Sequence, residues 1–195
     1  MLKSLPIKNE DFFTMKPFIY PEMMVHVPLC THKDPKNILL ISDNADAMVA
    51  EVQKHQDIAV SVIACSLDAL RNVADKSVDV VINEMGCDAA VVAHINRVLK
   101  EEGLVATSHP SLEKVDENKN LMQVMGNYFK IIMPYNLGNS HTALLASKAY
   151  HPTADLILHR ADMLDNLSYY NCDIHPAAFA MGNYIRKEYL GIIKN

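Results

Sequence analysis

The chain has 195 residues, half of them apolar, and a formal net charge of −5 from 23 acidic and 18 basic side chains. That length suits one domain with a sizeable core. The lysines and arginines are dispersed, so there is no basic footprint of the kind a phosphate backbone requires, and nucleic acid is not expected as a partner. The acidic balance favours a cationic small molecule over an anionic one. Cys30, Cys65, Cys87 and Cys172 form no CxxC pair and lie in or beside apolar stretches, which fits a reducing, cytoplasmic setting. Residues 1–13 lack the basic segment and apolar run of an export signal, and no stretch reaches the ~18 apolar residues of a membrane span, so a soluble, unexported protein is expected.

The first clear strand is Asn37–Ile41, a short apolar run after a Lys-Asp-Pro-Lys turn, which reads as buried on both faces. Ser42-Asp43-Asn44 supplies helix-capping chemistry, and residues 45–55 follow with apolar positions at Ala45, Met48, Val49 and Val52, the spacing of one buried stripe. The pattern repeats with a strand at 58–64, a helix at 67–73, a strand at 78–83, a helix at 89–100 and a strand at 103–107. Such alternation predicts an α/β fold, a doubly wound and mostly parallel sheet. A helix at 121–125 comes next, then apolar runs at 129–133 and 142–147 that predict two antiparallel edge strands. Helices at 154–165 and 184–190 complete the chain.

In a doubly wound sheet, ligands sit beyond the carboxyl ends of the strands, at the switch in strand order. Three loops therefore hold the candidate residues: 42–46, 65–68 and 83–88. The first glycine in the chain is Gly86, so a glycine-rich phosphate cradle is excluded from the first loop. Asp43 and Asp46 there would repel phosphate but tolerate a cationic or neutral nucleoside, and the same residues serve equally well as an ordinary helix cap. Glu84 and Asp88 in the third loop can accept a proton from an ammonium group or hold it, and acidic residues in exposed loops are just as often structural. The nine histidines are scattered, and His26/His32 and His151/His159 lack the i, i+4 spacing of paired ligands, so no metal site is expected. No GxSxG turn is present.

Three stretches resemble the spermidine synthase family. They are Phe18-Ile-Tyr-Pro-Glu-Met-Met-Val-His-Val-Pro-Leu-Cys-Thr-His32 with residues 34–41 behind it, the strand and helix of residues 78–104, and Tyr169-Tyr-Asn-Cys-Asp-Ile-His-Pro-Ala-Ala-Phe179 near the carboxyl end. The resemblance implies a Rossmann-like, methyltransferase-like fold, with residues 1–19 as a remnant of the family's amino-terminal β-region and 20–195 as the aminopropyltransferase-type domain. It further implies attack by the amine of putrescine on the aminopropyl carbon of decarboxylated S-adenosylmethionine, a co-substrate, with release of methylthioadenosine and without metal or redox cofactor. By the family pattern Glu84 is the base. Tyr20, Asp88 and Tyr135 are the substrate contacts, with Asn136 filling the place next to Tyr135 that matches the family's tyrosine, and Asp43 and Asp46 are the nucleoside contacts. Where the family carries a glycine-rich loop with its aspartate, this chain has Ser42-Asp43-Asn44-Ala45-Asp46, and between Ile41 and Asp79 it is shorter by about one strand–helix unit. These departures lead to a second expectation, a family member that no longer catalyses and acts as a binding or assembly subunit; a third, an S-adenosylmethionine-dependent methyltransferase, shares the sheet topology but needs the same nucleoside loop. Assembly into a homo-oligomer is expected under the family reading.

Overall fold

The computed structural model describes residues 16–138 and 141–195. Of the expected amino-terminal remnant, residues 1–15 lie outside the described residues. The described chain is a six-stranded sheet in the order β2-β1-β3-β4-β6-β5, from β1 (Asn37–Ile41), β2 (Ala59–Ile63), β3 (Val78–Asn83), β4 (Leu99–His109), β5 (Ile131–Asn136) and β6 (Thr142–Ser147). The first four strands run parallel, and β6 pairs antiparallel with both β4 and β5. The expected parallel sheet with an antiparallel edge is therefore what forms.

Strand periodicity divides the core. Ile38, Leu40, Val80, Ile82, Leu104 and Ala106 face one layer, while Leu39, Ile41, Val81 and Val105 face the other. The first layer holds α1 (Ile19–Thr31), α2 (Asp46–Val52), α6 (Leu158–Asp162) and α7 (Ile174–Ala178). The second holds α3 (Leu67–Arg71), α4 (Ala89–Val98), α5 (Val115–Met125) and α8 (Asn183–Glu188). The central strand β3 is buried at all six positions, as a strand covered on both faces must be.

Helix α1 is the element that the sequence pattern does not announce. It is buried at twelve of its thirteen positions, so it shows no polar stripe. Pro21 sits in its first turn, where a missing N–H costs nothing, and Pro28 lies near its end. The carboxy-terminal third of the chain wraps this helix. The Glu22 carboxylate, 2% exposed, accepts the backbone N–H groups of Ser168 (2.9 Å), Tyr169 (2.8 Å) and Tyr170 (2.8 Å). At the other end the Arg160 guanidinium donates to the carbonyls of Leu29 (2.5 Å), His32 (2.6 Å) and Lys33 (2.8 Å). A carboxylate in the first turn and a cation on the last carbonyls both match the helix dipole.

Three histidines are buried without a stabilising negative charge of their own. His175 lies between the Tyr170 hydroxyl (2.7 Å) and the Pro152 carbonyl (2.9 Å). His109 donates from Nδ1 to the Pro110 carbonyl at 2.8 Å. His55 donates to His26, which in turn donates from Nε2 to the Glu51 carboxylate, each at 2.9 Å. Burial pushes His175 and His109 down to about 4, and burial with the neighbouring His26 pushes His55 down to about 3.

Two outcomes follow. Glu22→Ala leaves three N–H groups, that of Tyr170 buried and those of Ser168 and Tyr169 partly so, without their acceptor and should lower unfolding free energy by about 2–4 kcal/mol, read from the urea midpoint at unchanged m-value. For the histidines, the unfolded chain takes up protons below about pH 6.5 that the folded rings refuse until roughly pH 4, so folding stability is complete above that window and falls as pH drops through it. Each ring should contribute on the order of 1–3 kcal/mol to that loss. Thermal midpoints that stay level from pH 7 to pH 5 would contradict it.

Candidate active site at the switch point

Strand order reverses between β1 and β3: the chain goes outward from β1 to β2, then crosses back to β3 and on to β4. The register places Ile41 opposite Asn83, so the residues just beyond, Ser42 and Glu84, emerge side by side at the carboxyl ends of the two strands. Glu84 N–H donates to the Ile41 carbonyl at 2.9 Å, which extends the ladder by one bond and fixes where the carboxylate starts. The Ser42 hydroxyl donates to Glu84 Oε2 in a short hydrogen bond. Glu84 is half-buried, Ser42 buried.

Tyr20 reaches the same carboxylate from α1. Its phenol lies within electrostatic reach of Glu84 and Ser108, and burial together with the Glu84 charge raises its pKa above the ordinary phenol range. Tyr20 is therefore a neutral donor at physiological pH. Ser108 lies on β4, one residue past Thr107, and its side chain faces the α1 layer because strand residues alternate. Neither its type nor its position stands out in the sequence.

Tyr135 lies close to Tyr20 but inside the core. It is fully buried, its hydroxyl 3.7 Å from the Met24 sulfur and its ring 5.2 Å from that of Phe179. Burial, with Tyr20 nearby, holds its pKa well above the ordinary value. Asp88 stands at the amino end of α4, exposed, with its carboxylate accepting from Val91 N–H at 2.8 Å, the geometry of a helix N-cap. Asp43 is exposed and accepts from Cys65 N–H at 2.9 Å, tying the first loop to the second. Asp46 is exposed in the first turn of α2. Tyr20 and Glu84 are thus neighbours that interact electrostatically, and Asp43, Asp46 and Asp88 are distributed around the same end of the sheet. Asn136 donates to the carbonyls of Ala178 and Ala180, both at 3.3 Å. Among the described residues no group of His, Cys, Asp and Glu has the arrangement of a metal site.

A doubly wound sheet with an antiparallel β4-β6-β5 edge, and with its polar cluster at the switch point, defines a Rossmann-like, methyltransferase-like α/β protein. The spermine/spermidine synthase domain matches residues 17–75. The polyamine aminopropyltransferase of Helicobacter acinonychis is 28% identical over 193 residues, covering 84% of this chain and 73% of that one. That of Thermoanaerobacter sp. is 26% identical over 218 residues, covering 87% and 77%. The crystal structure of spermidine synthase from Thermotoga maritima superposes with a TM-score of 0.79 at 21% identity over 93% of this chain and 78% of its own. By sequence relatives and fold together, the chain is similar to the spermidine synthase family. No helix among the described residues is long and apolar enough to cross a membrane.

Proposed function

We propose that this chain transfers an aminopropyl group from decarboxylated S-adenosylmethionine to putrescine, with Glu84 as the base. The observation that supports this best is the Glu84 carboxylate at the switch point, hydrogen-bonded by Ser42 and within electrostatic reach of the Tyr20 phenol. A putrescine amine must lose a proton to expose its lone pair. Its nitrogen then attacks the aminopropyl carbon, the carbon–sulfur bond breaks, and its electrons settle on sulfur as the positive sulfonium becomes neutral methylthioadenosine. Glu84 takes the amine's proton. Tyr20, held neutral by its surroundings, cannot be that base and serves instead to orient the carboxylate and the incoming amine. Asp43, Asp46 and Asp88 add negative charge around the same sheet end, which favours a diamine cation and a sulfonium over anionic ligands.

Glu84→Gln should lower kcat by about 10²–10⁴-fold, the usual contribution of a general base, while the circular dichroism spectrum is unchanged. Tyr20→Phe should raise KM for the amine more than it lowers kcat. Full activity in the glutamine variant would remove Glu84 from the role.

A second reading, a non-catalysing assembly subunit, draws on the first loop. Ser42 Oγ accepts the Asn44 N–H at 3.0 Å and Asp43 accepts the Cys65 N–H, so these amides are already engaged, and no glycine opens the backbone to a ligand. Calorimetric titration with methylthioadenosine separates the readings, because the product needs only the nucleoside pocket. The transferase reading expects binding of roughly −8 kcal/mol, a micromolar Kd. No heat at millimolar ligand would favour the assembly subunit.

A further inference from the structure

The backbone of Glu84 is held on both sides. Its own N–H is bound to the Ile41 carbonyl at 2.9 Å. The residue after it is locked by the fully buried Asn83, whose amide donates to the Met85 carbonyl at 2.7 Å and to the Thr107 hydroxyl at 3.0 Å and accepts the Met85 N–H at 3.2 Å. A glutamate side chain still has three torsions beyond its backbone, and these decide where the carboxylate ends. Fixing them falls to whatever grips the carboxylate itself.

Ser42 meets that requirement. Its N–H donates to the Ile63 carbonyl at 3.0 Å, so its backbone belongs to the sheet, and the residue is only 4% exposed. Its Oγ accepts the Asn44 N–H at 3.0 Å. A serine hydroxyl carries a single hydrogen, and with Asn44 supplying a donor of its own that hydrogen goes to an acceptor, which is Glu84 Oε2. The first loop therefore sets the direction of one O–H bond, and that bond holds the carboxylate. An alanine or a glycine at position 42 has no group that could do the same.

We propose that Ser42 is a positioning residue for the transfer reaction, an inference that rests on Glu84 as the base. By holding Oε2 it fixes the carboxylate plane and leaves Oε1 to take the proton. In that step an N–H bond of the diamine's ammonium group breaks, its electron pair stays on nitrogen as the attacking lone pair, and the proton forms an O–H bond with Oε1. The Ser42 hydrogen remains on Oγ throughout. Ser42 acts through the carboxylate and not on the reacting atoms, so its loss should slow turnover without weakening amine binding. A reacting group displaced by about 1 Å costs on the order of 10²-fold in rate.

In steady-state kinetics of the full chain, Ser42→Ala should lower kcat by about 10–100-fold with KM for putrescine within about twofold, and Ser42→Thr, which keeps the hydroxyl, should recover most of the loss. In a Glu84→Gln background Ser42→Ala should cost nothing further, because the group it positions is gone. An equal fold loss in both backgrounds would mean that Ser42 only caps the loop, and would overturn the proposal. A second readout needs no turnover: in protein labelled with carboxyl-carbon-13 glutamate, the Glu84 resonance, assigned by its loss in Glu84→Gln, should move in Ser42→Ala and keep its place in Ser42→Thr. A resonance unmoved by the alanine substitution would show that the serine does not hold the carboxylate. An inactive Glu84→Gln beside a fully active Ser42→Ala overturns this proposal alone, whereas full activity in Glu84→Gln overturns the base reading and the role of Ser42 with it.

Discussion

The structure depends on two charges that hold one buried helix. Helix α1 has almost no exposed surface of its own and no polar stripe to orient it. Its position is set by Glu22 in its first turn, which accepts three consecutive amides of residues 168–170, and by Arg160, which takes three carbonyls at its end. Each charge is satisfied by several backbone dipoles rather than by an opposite ion. That is the condition under which burying a charge fixes geometry instead of merely costing solvation. The Tyr-Tyr-Asn-Cys-Asp-Ile-His stretch near the carboxyl end thereby acquires a physical role: its amides close the Glu22 site, and its Tyr170 and His175 seal the space behind.

The candidate site inherits its precision from this clamp. Tyr20 lies two residues before Glu22, on the same first turn, so whatever sets the helix also sets the distance from the Tyr20 phenol to Glu84. The other half of the site comes from the sheet. Ser42 and Glu84 are separated by forty-two residues, yet they meet because β1 and β3 are neighbours in register and each chain leaves its strand at the same level. One donor is delivered by a helix held from the carboxy-terminal side and another by a strand in the central sheet, and the carboxylate between them belongs to a third element.

Much of this was legible in the sequence, for identifiable reasons. Asn37–Ile41, Val78–Asn83 and Thr142–Ser147 were expected with the bounds they have, because short apolar runs between turn residues leave little choice. Glu84 could be read from its place just after a buried strand. Helix α1 could not be read by periodicity, because a helix buried all round has none, and its two prolines argue against helix locally. Tyr20 was accordingly legible only through family resemblance. The helix expected over 89–100 ends at Val98, since Leu99 already pairs with Val78 across an irregularity and starts β4 early. The helix expected over 154–165 shrinks to Leu158–Asp162, and Arg160 within it spends its guanidinium on α1. The Ser42–Glu84 contact follows from strand order, which local pattern does not specify.

The first loop shows what replacing glycine does to such a site. A glycine at the end of β1 lets a ligand approach the backbone and leaves its amides free to meet it. Here each position from Ser42 to Asp46 carries a Cβ, the Asn44 amide is taken by Ser42, and Asp43 reaches across to the Cys65 amide. The loop satisfies itself, and it does so with side chains that also serve the neighbouring elements: the Ser42 hydroxyl that accepts from Asn44 is the one that donates to Glu84. A ligand that displaced this arrangement would have to compensate two satisfied amides and the donor on the carboxylate together. The groups exposed at this end of the sheet are therefore side-chain carboxylates and hydroxyls, which suit positive charge and hydrogen-bond donors better than phosphate.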